Sequence, residues 1–181
     1  SSLNGSYDGI NLSLDNGRVI NTVRTNVNAS TVYGIADYQT SGNLTGMIIF
    51  KTTIPSNSYT MFQLHISGML YGEGLLDTIV KTYQYNGNLK TNGARVSRGT
   101  VDVLVRFGAT PDGYICVIIG DVDNSWYFPH ISITHGVLSH GVASNPGYVK
   151  GWTSYNTNDL TGYTMVTTPY ANEVSVTNVA W

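Results

Sequence analysis

The chain has 181 residues, of which 41% are hydrophobic and only 11% are charged, with a formal net charge of −2. This length suits one domain with a core, and the hydrophobic content excludes a disordered chain. The few basic residues are scattered, so we expect no nucleic-acid partner. No apolar stretch approaches the about 20 residues of a membrane span, so we expect no membrane insertion.

The first 30 residues predict an extended lead-in without a core of its own. Residues 10–14 and 18–20 alternate apolar and polar side chains, and Asp15-Asn16-Gly17 between them is a turn sequence that would join them as a hairpin. We therefore divide the chain into a lead-in, residues 1–30, and a β-domain, residues 31–181.

Period-two alternation and Gly, Asn and Pro turns run through the rest of the chain, which is typical of strands. Strands at intervals of about eight to twelve residues predict an all-β fold, an antiparallel β-sandwich of jelly-roll-like type. The segment 105–133 combines three apolar stretches with two tight turns and predicts an antiparallel meander. The predicted strands cover residues 31–38, 46–54, 59–71, 75–85, 101–107, 114–120, 126–133, 149–155, 163–168 and 173–181.

The sequence contains no pattern that predicts a metal site or a bound cofactor. The run Asp121-Val122-Asp123-Asn124 opens like a calcium loop, but the sixth and twelfth positions hold Trp126 and Ser132 instead of Gly and Glu, so we interpret it as a turn. The histidines would make a metal site only if the fold or a trimer axis gathered them, and because their spacing prepares no pair, they are interpreted as structural or surface residues. They are His65, His130, His135 and His140. We expect no metal site and no cofactor.

Catalysis has no recognisable sequence context either. Glycan hydrolysis needs two facing carboxylates, and no two of the eleven acids can be paired from the sequence. Ser139-His140 lacks the context of a nucleophile elbow. Cys116 lies in an apolar run and is predicted to be a buried hydrophobic side chain. The chain is not expected to be an enzyme.

Tyrosine dominates the aromatic residues, with thirteen Tyr against four Phe. Such rings combine an apolar face with a polar edge and suit interfaces and sugar faces. The strand tyrosines are interpreted as filling the rim of the core. They are Tyr33, Tyr71, Tyr83 and Tyr114.

Residues 45–141 resemble a C-terminal domain of bacteriophage tail fibres, including the L-shaped tail fibres of siphophages. The landmarks are TGMIIFKTTIP (45–55), MFQLHISGMLYG (61–72), YQYN (83–86), VRFGATPDGYICVIIGD (105–121) and SWYFPHISI (125–133). Phe128 stands where the family pattern has Tyr. The resemblance implies an intertwined homotrimer at a fibre tip that adheres to a bacterial surface glycan, with Trp126 and Pro129 in the scaffold.

The resulting expectation is a receptor-binding domain in the virion that recognises bacterial polysaccharide or lipopolysaccharide such as O-antigen. The alternatives are a structural or trimerisation module without a ligand site, a glycan-degrading tailspike, or a fibre adhesin on a bacterial cell surface.

The predicted sugar-binding residues lie in one polar, aromatic loop after the landmarks. Tyr155 and Tyr163 would stack on sugar rings, while Asn156, Asn158 and Asp159 would bond to hydroxyls. A plain turn between two strands remains an equal alternative for this loop. The loop between Tyr85 and Arg98 is the next candidate.

Overall fold

The computed structural model describes residues 10–15, 18–26, 29–89, 93–140 and 146–173. These residues form an all-β structure with antiparallel sheets, as expected, and they contain no α-helix. A single 3-10 turn covers Pro146–Val149. Within the same ranges, no helix has the length and apolar character needed to cross a membrane.

Fourteen strands are found in the described residues. In chain order they are β1 (Ile10–Asp15), β2 (Arg18–Asn26), β3 (Ala29–Gln39), β4 (Asn43–Thr45), β5 (Met47–Pro55), β6 (Thr60–Leu70), β7 (Gly74–Tyr85), β8 (Asn88–Leu89), β9 (Ala94–Ser97), β10 (Val105–Ala109), β11 (Tyr114–Ile119), β12 (Ser125–Tyr127), β13 (His130–His140) and β14 (Thr153–Thr157).

Most strands join a large sheet in the order β1-β2-β3-β13-β6-β7-β8, with β9 also on β7. A small sheet has the order β10-β11-β5-β14, and β12 pairs with β4. The predicted hairpin of β1 and β2 is confirmed, with Asp15 opposite Arg18. Its turn residues 16–17 lie outside the described residues. The predicted division at residue 30 falls inside β3, which pairs with β2.

The large and small sheets share one hydrophobic core. Alternate residues of β6 point inward, so that Leu64 and Ile66 are fully buried. They belong to the same buried cluster as Phe107, Val117 and Ile119 of the small sheet. Trp126 is fully buried in this cluster and donates its indole N–H to the Gly46 carbonyl over 2.6 Å.

The predicted meander is wrong beyond its second strand. β10 and β11 pair as expected, but the other neighbour of β11 is β5. The third predicted strand divides into β12, which pairs with β4, and β13, which lies in the large sheet. Gly120 and Phe128 have left-handed backbones with φ of 83° and 45°. Gly120 turns the chain directly after β11 and Phe128 turns it again directly after β12, so β12 does not continue the small sheet.

The C-terminal strap, residues 163–173, connects the edges of the two sheets. Part of it was predicted as a strand over 163–168, but the structure has an isolated bridge between Thr164 and Ala109 there instead of a strand. Its backbone N–H groups donate to the carbonyls of Ala109, Phe107 and Val105 in β10, and then to that of Arg95 in β9. Both are edge strands among the described residues, so the strap covers polar backbone that would otherwise be open. Residues 174–181, predicted as a strand with Glu173, lie outside the described residues.

Candidate functional site

The two tyrosines of the predicted site lie together over the outer face of the small sheet. The hydroxyls of Tyr155 and Tyr163 are 2.5 Å apart and share a hydrogen bond. Both rings pack against a buried cluster that includes Ile49 and Cys116. Burial raises the pKa of Tyr163 above its ordinary value, and the hydrogen bond with Tyr155 raises it further. These rings therefore also serve as part of a small second core.

Two polar residues of the predicted site are hydrogen-bonded to the backbone of the protein, Asn156 from β14 and Asp159 within the loop that follows. Asn156 donates its side-chain amide to the carbonyls of Thr45 at 3.2 Å and Met47 at 3.1 Å. Asp159 accepts the backbone N–H of Thr161 at 2.8 Å, and hydrogen bonding from Thr161 lowers the pKa of its carboxyl. Asn158 has an exposed side chain.

A second aromatic surface lies at one end of the large sheet, and we call Tyr59, Tyr83 and Tyr85 the tyrosine ledge. The rings of Tyr59 and Tyr85 meet edge to face with centroids 5.1 Å apart, and Tyr83 follows at 5.9 Å from Tyr85. Tyr59 and Tyr85 are 46% and 47% exposed. The exposed residues Asn57 and Asn86 flank the ledge in sequence. The ledge thus combines accessible rings with amide groups.

A buried glutamine holds the ledge in place. Gln84 is fully buried, donates its amide to the Ser56 carbonyl, and accepts the Ser58 hydroxyl at 3.4 Å. These bonds tie the loop before β6 to the end of β7. The turn after β7 has left-handed residues at Asn86 and Gly87, with φ of 51° and 71°, a combination that suits a tight hairpin turn. The rings are therefore carried on a fixed backbone.

A third surface lies at the opposite end of the β6–β7 pair, and we call its exposed side chains the end patch. They are Met69, Tyr71, Leu75 and Phe128. Met69 faces Leu75 across the two strands, and Tyr71 meets Phe128 edge to face at 5.8 Å. Tyr71 is 75% exposed, so its interpretation as a core-rim residue was wrong. Phe128 presents its ring from a left-handed backbone, which is unusual for a bulky residue and often accompanies a functional constraint.

Two of the residues set aside in the sequence behave as predicted. Asp121 caps its own turn by accepting the Val122 N–H at 2.8 Å, and its carbonyl accepts the Asn124 N–H at 3.1 Å. Cys116 is fully buried, and burial raises the pKa of its thiol to about 12. Within the described residues, no group of three or more His, Cys, Asp or Glu side chains is placed to hold a metal ion.

The sequence reasoning missed the ledge as a unit. Alternation along β7 places Tyr83 and Tyr85 on one face, which the sequence shows, but Tyr59 joins them only through the pairing of Thr60 with Gln84.

Comparison of the chain with protein-family models, with curated proteins and with solved structures finds no match. The resemblance to fibre tips therefore depends on its sequence landmarks alone.

Proposed function

We propose that this chain is a receptor-binding domain of a phage tail fibre, without enzymatic activity, that adheres to bacterial surface polysaccharide or lipopolysaccharide. The observation that favours sugar binding is the tyrosine ledge, where two half-exposed rings are flanked in sequence by the exposed amides Asn57 and Asn86. Aromatic faces pack on apolar sugar faces, while amides bond to hydroxyls. The virion is then its location, and a bacterial surface adhesin of related design is the alternative.

The finer architecture belongs to the same proposal. The two sheets with their shared core would form a β-sandwich of jelly-roll-like type, and three copies would intertwine as a homotrimer. A low proportion of charged residues supports extensive contact between copies. Three equal sites on one fibre would raise a modest affinity by avidity.

The ledge replaces the Tyr155–Tyr163 loop as the first candidate for the sugar contacts. The loop tyrosines have their hydroxyls paired with each other and their rings against the second core. The ledge includes Tyr85, at the edge of the loop named as the next candidate in the sequence. Asn88 donates its side-chain amide to the Asn86 carbonyl at 3.0 Å, which further stiffens the turn beside the rings.

A structural fibre module without its own ligand site is the second candidate function. The end patch favours it, because Met69, Tyr71 and Leu75 are each more than half exposed and lack flanking amides on the same strands. An exposed apolar surface of this kind suits protein contact better than sugar contact.

Binding to purified lipopolysaccharide and capsular polysaccharide from candidate hosts separates these functions. We expect the intact chain to be retained on immobilised glycan without shortening it. Retention with shortened chains would indicate a tailspike, and no retention across the panel would favour a structural module.

The position of the site is tested with matched variants. Tyr59→Ala combined with Tyr85→Ala should weaken retention at least tenfold, since aromatic contacts would be lost at each of several linked sites. Tyr71→Ala, which removes an even more exposed ring from the end patch, should leave retention unchanged. Loss of retention in Tyr155→Ala with Asp159→Ala, but not in the ledge variant, would return the site to the loop.

A further inference from the structure

His65 of β6 and His135 of β13 are directly paired on neighbouring strands of the large sheet because β13 contains a bulge. Ile133 pairs with Ile66, whereas His135 pairs with His65, so Thr134 is an extra residue on β13. Ile133 and Leu138 are both fully buried although they are an odd number of positions apart. The bulge therefore turns His135 to the outer face, beside His65, instead of inward.

The neighbouring strand β3 is irregular at the same level. Tyr33 pairs with His135 and Ala36 with Ile133, so β3 has an extra residue between those pairs, and Gly34 there is left-handed with φ of 64°. A cavity of about 310 Å³ lies alongside. It is lined by Gly34, Ala36, Asp37, Ser132, Ile133 and Thr134. Bulges that re-aim side chains are frequent next to functional sites.

A carboxylate fixes the orientation of one imidazole. Asp77 of β7 lies 2.5 Å from the Nε2 atom of His65, and its second oxygen is 3.8 Å from the Arg98 guanidinium. Since the carboxylate accepts the Nε2 proton, the lone pair of neutral His65 is on Nδ1. Histidines that bind a metal ion commonly donate their other ring N–H to a carboxylate in this way.

We propose that His65 and His135 bind one divalent transition-metal ion, with Asp77 as the carboxylate that positions His65. The ring centroids are 4.8 Å apart and the ring planes are nearly perpendicular at 88°. Two imidazoles bound to one ion at about 2.0–2.1 Å have centroids about 4.5 Å apart at a right N–metal–N angle and about 5.2 Å apart at a tetrahedral angle, and the observed separation lies between these values. Both side chains are partly exposed, so an ion has access from solvent.

The identity of the ion follows from the number of ligands. The described residues supply no third His, Cys, Asp or Glu ligand, so water must complete the coordination. Structural zinc sites usually use four protein ligands, whereas imidazole with water suits copper and nickel. The order of affinity should therefore be Cu²⁺ above Ni²⁺ and Cu²⁺ above Zn²⁺.

Calorimetric titration of the intact chain with CuCl₂, NiCl₂ and ZnCl₂ in a non-coordinating buffer tests this site. We expect one Cu²⁺ per chain, with two imidazole nitrogens in its electron paramagnetic resonance spectrum. His65→Gln and His135→Gln should each weaken binding at least tenfold. Asp77→Ala should weaken it about tenfold to a hundredfold, the usual effect of removing a carboxylate behind a ligand.

His130→Gln is the matched control, because His130 lies on the same strand opposite Met69 and away from the pair. Its affinity for Cu²⁺ should equal that of the unmodified chain, and circular dichroism should be the same for all variants. Equal affinity in His65→Gln and His135→Gln, loss of binding in His130→Gln, or no Cu²⁺ binding by the unmodified chain would each overturn the proposal. The readout does not involve glycan, so its failure is separate from that of the proposed function.

Discussion

Tyr155 and Tyr163 show how one pair of side chains links the candidate loop to the stability of the domain. Their hydroxyls bond to each other at 2.5 Å while their rings cover Ile49 and Cys116. Ionisation of the Tyr163 phenol would place a charge in a half-buried apolar position, which is unfavourable. The hydrogen bond also needs at least one proton.

This pair predicts a loss of stability at alkaline pH. Because the pKa of Tyr163 is higher in the folded chain than its ordinary value of 10.0, the unfolded chain loses this proton first as pH rises. The free energy of unfolding should therefore fall as pH increases above about 10, and this contribution is complete below that pH. Urea denaturation between pH 7 and pH 11 measures the slope.

Tyr163→Phe removes the titrating group and should make the slope above pH 10 shallower, at a cost of about 1 kcal/mol at pH 7 for the lost hydrogen bond. Burial also raises the pKa of Tyr38, so part of the slope should remain and Tyr38→Phe serves as the comparison. An identical slope in Tyr163→Phe and the unmodified chain would contradict this assignment.

At the scale of elements, the apolar strands of the small sheet explain why the loop after β14 packs on the outer face of that sheet. β5 begins with four consecutive buried residues, Met47 to Phe50, and β11 has five in a row. Continuous apolar strands are buried on both faces. The large sheet covers one face, and Tyr155 of β14 together with Tyr163 of the following loop covers the other.

The sequence predicted this sheet only in part, and the reason is physical. The runs around Ile49 and Cys116 identified strands, and the same runs also required a cover on the second face, which could have been inferred. Which loop provides that cover, and which tyrosines meet at the ledge, depends on long-range pairing such as Thr60 with Gln84. Local alternation contains no information on such pairs. The bulge at Thr134, which brings His65 and His135 together, was equally invisible.

The strap is the element whose anchoring is most open to test. Tyr170 is buried against Phe107, and its hydroxyl is hydrogen-bonded to the Thr82 hydroxyl at 2.9 Å. Its backbone carbonyl accepts a hydrogen bond from the Arg95 side chain at 2.8 Å. Tyr170→Ala should lower the free energy of unfolding by about 3–5 kcal/mol, the usual cost of removing a buried aromatic ring. Urea denaturation at pH 7 gives the value.

Tyr170→Phe is the matched control for this prediction, because it keeps the ring and removes only the bond to Thr82. It should cost about 1 kcal/mol. If both substitutions cost the same small amount, the strap would not be a stabilising contact between the two sheets.

At the scale of the whole molecule, the low proportion of charged residues and the exposed apolar side chains both favour assembly of identical chains. Only 11% of the residues are charged, against about a quarter in an average soluble domain. Large hydrophobic side chains are exposed at both ends of the β6–β7 pair, including Met61 at 46% and Met69 at 63%. Surfaces of this kind are commonly covered in an assembly of identical chains.

We therefore expect light scattering at micromolar concentration to give three times the 19.6 kDa mass of the chain. The lead-in pattern supplies the decisive variants, since Leu12 and Leu14 alternate with Asn11 and Ser13. Leu12→Asp with Leu14→Asp should reduce the mass to that of one chain, because charges would replace apolar side chains that need a partner. Asn11→Asp with Ser13→Asp adds the same charge on the polar positions and should leave the trimer intact. A single-chain mass for the unmodified protein, or an unchanged trimer in both variants, would rule out intertwining through the lead-in.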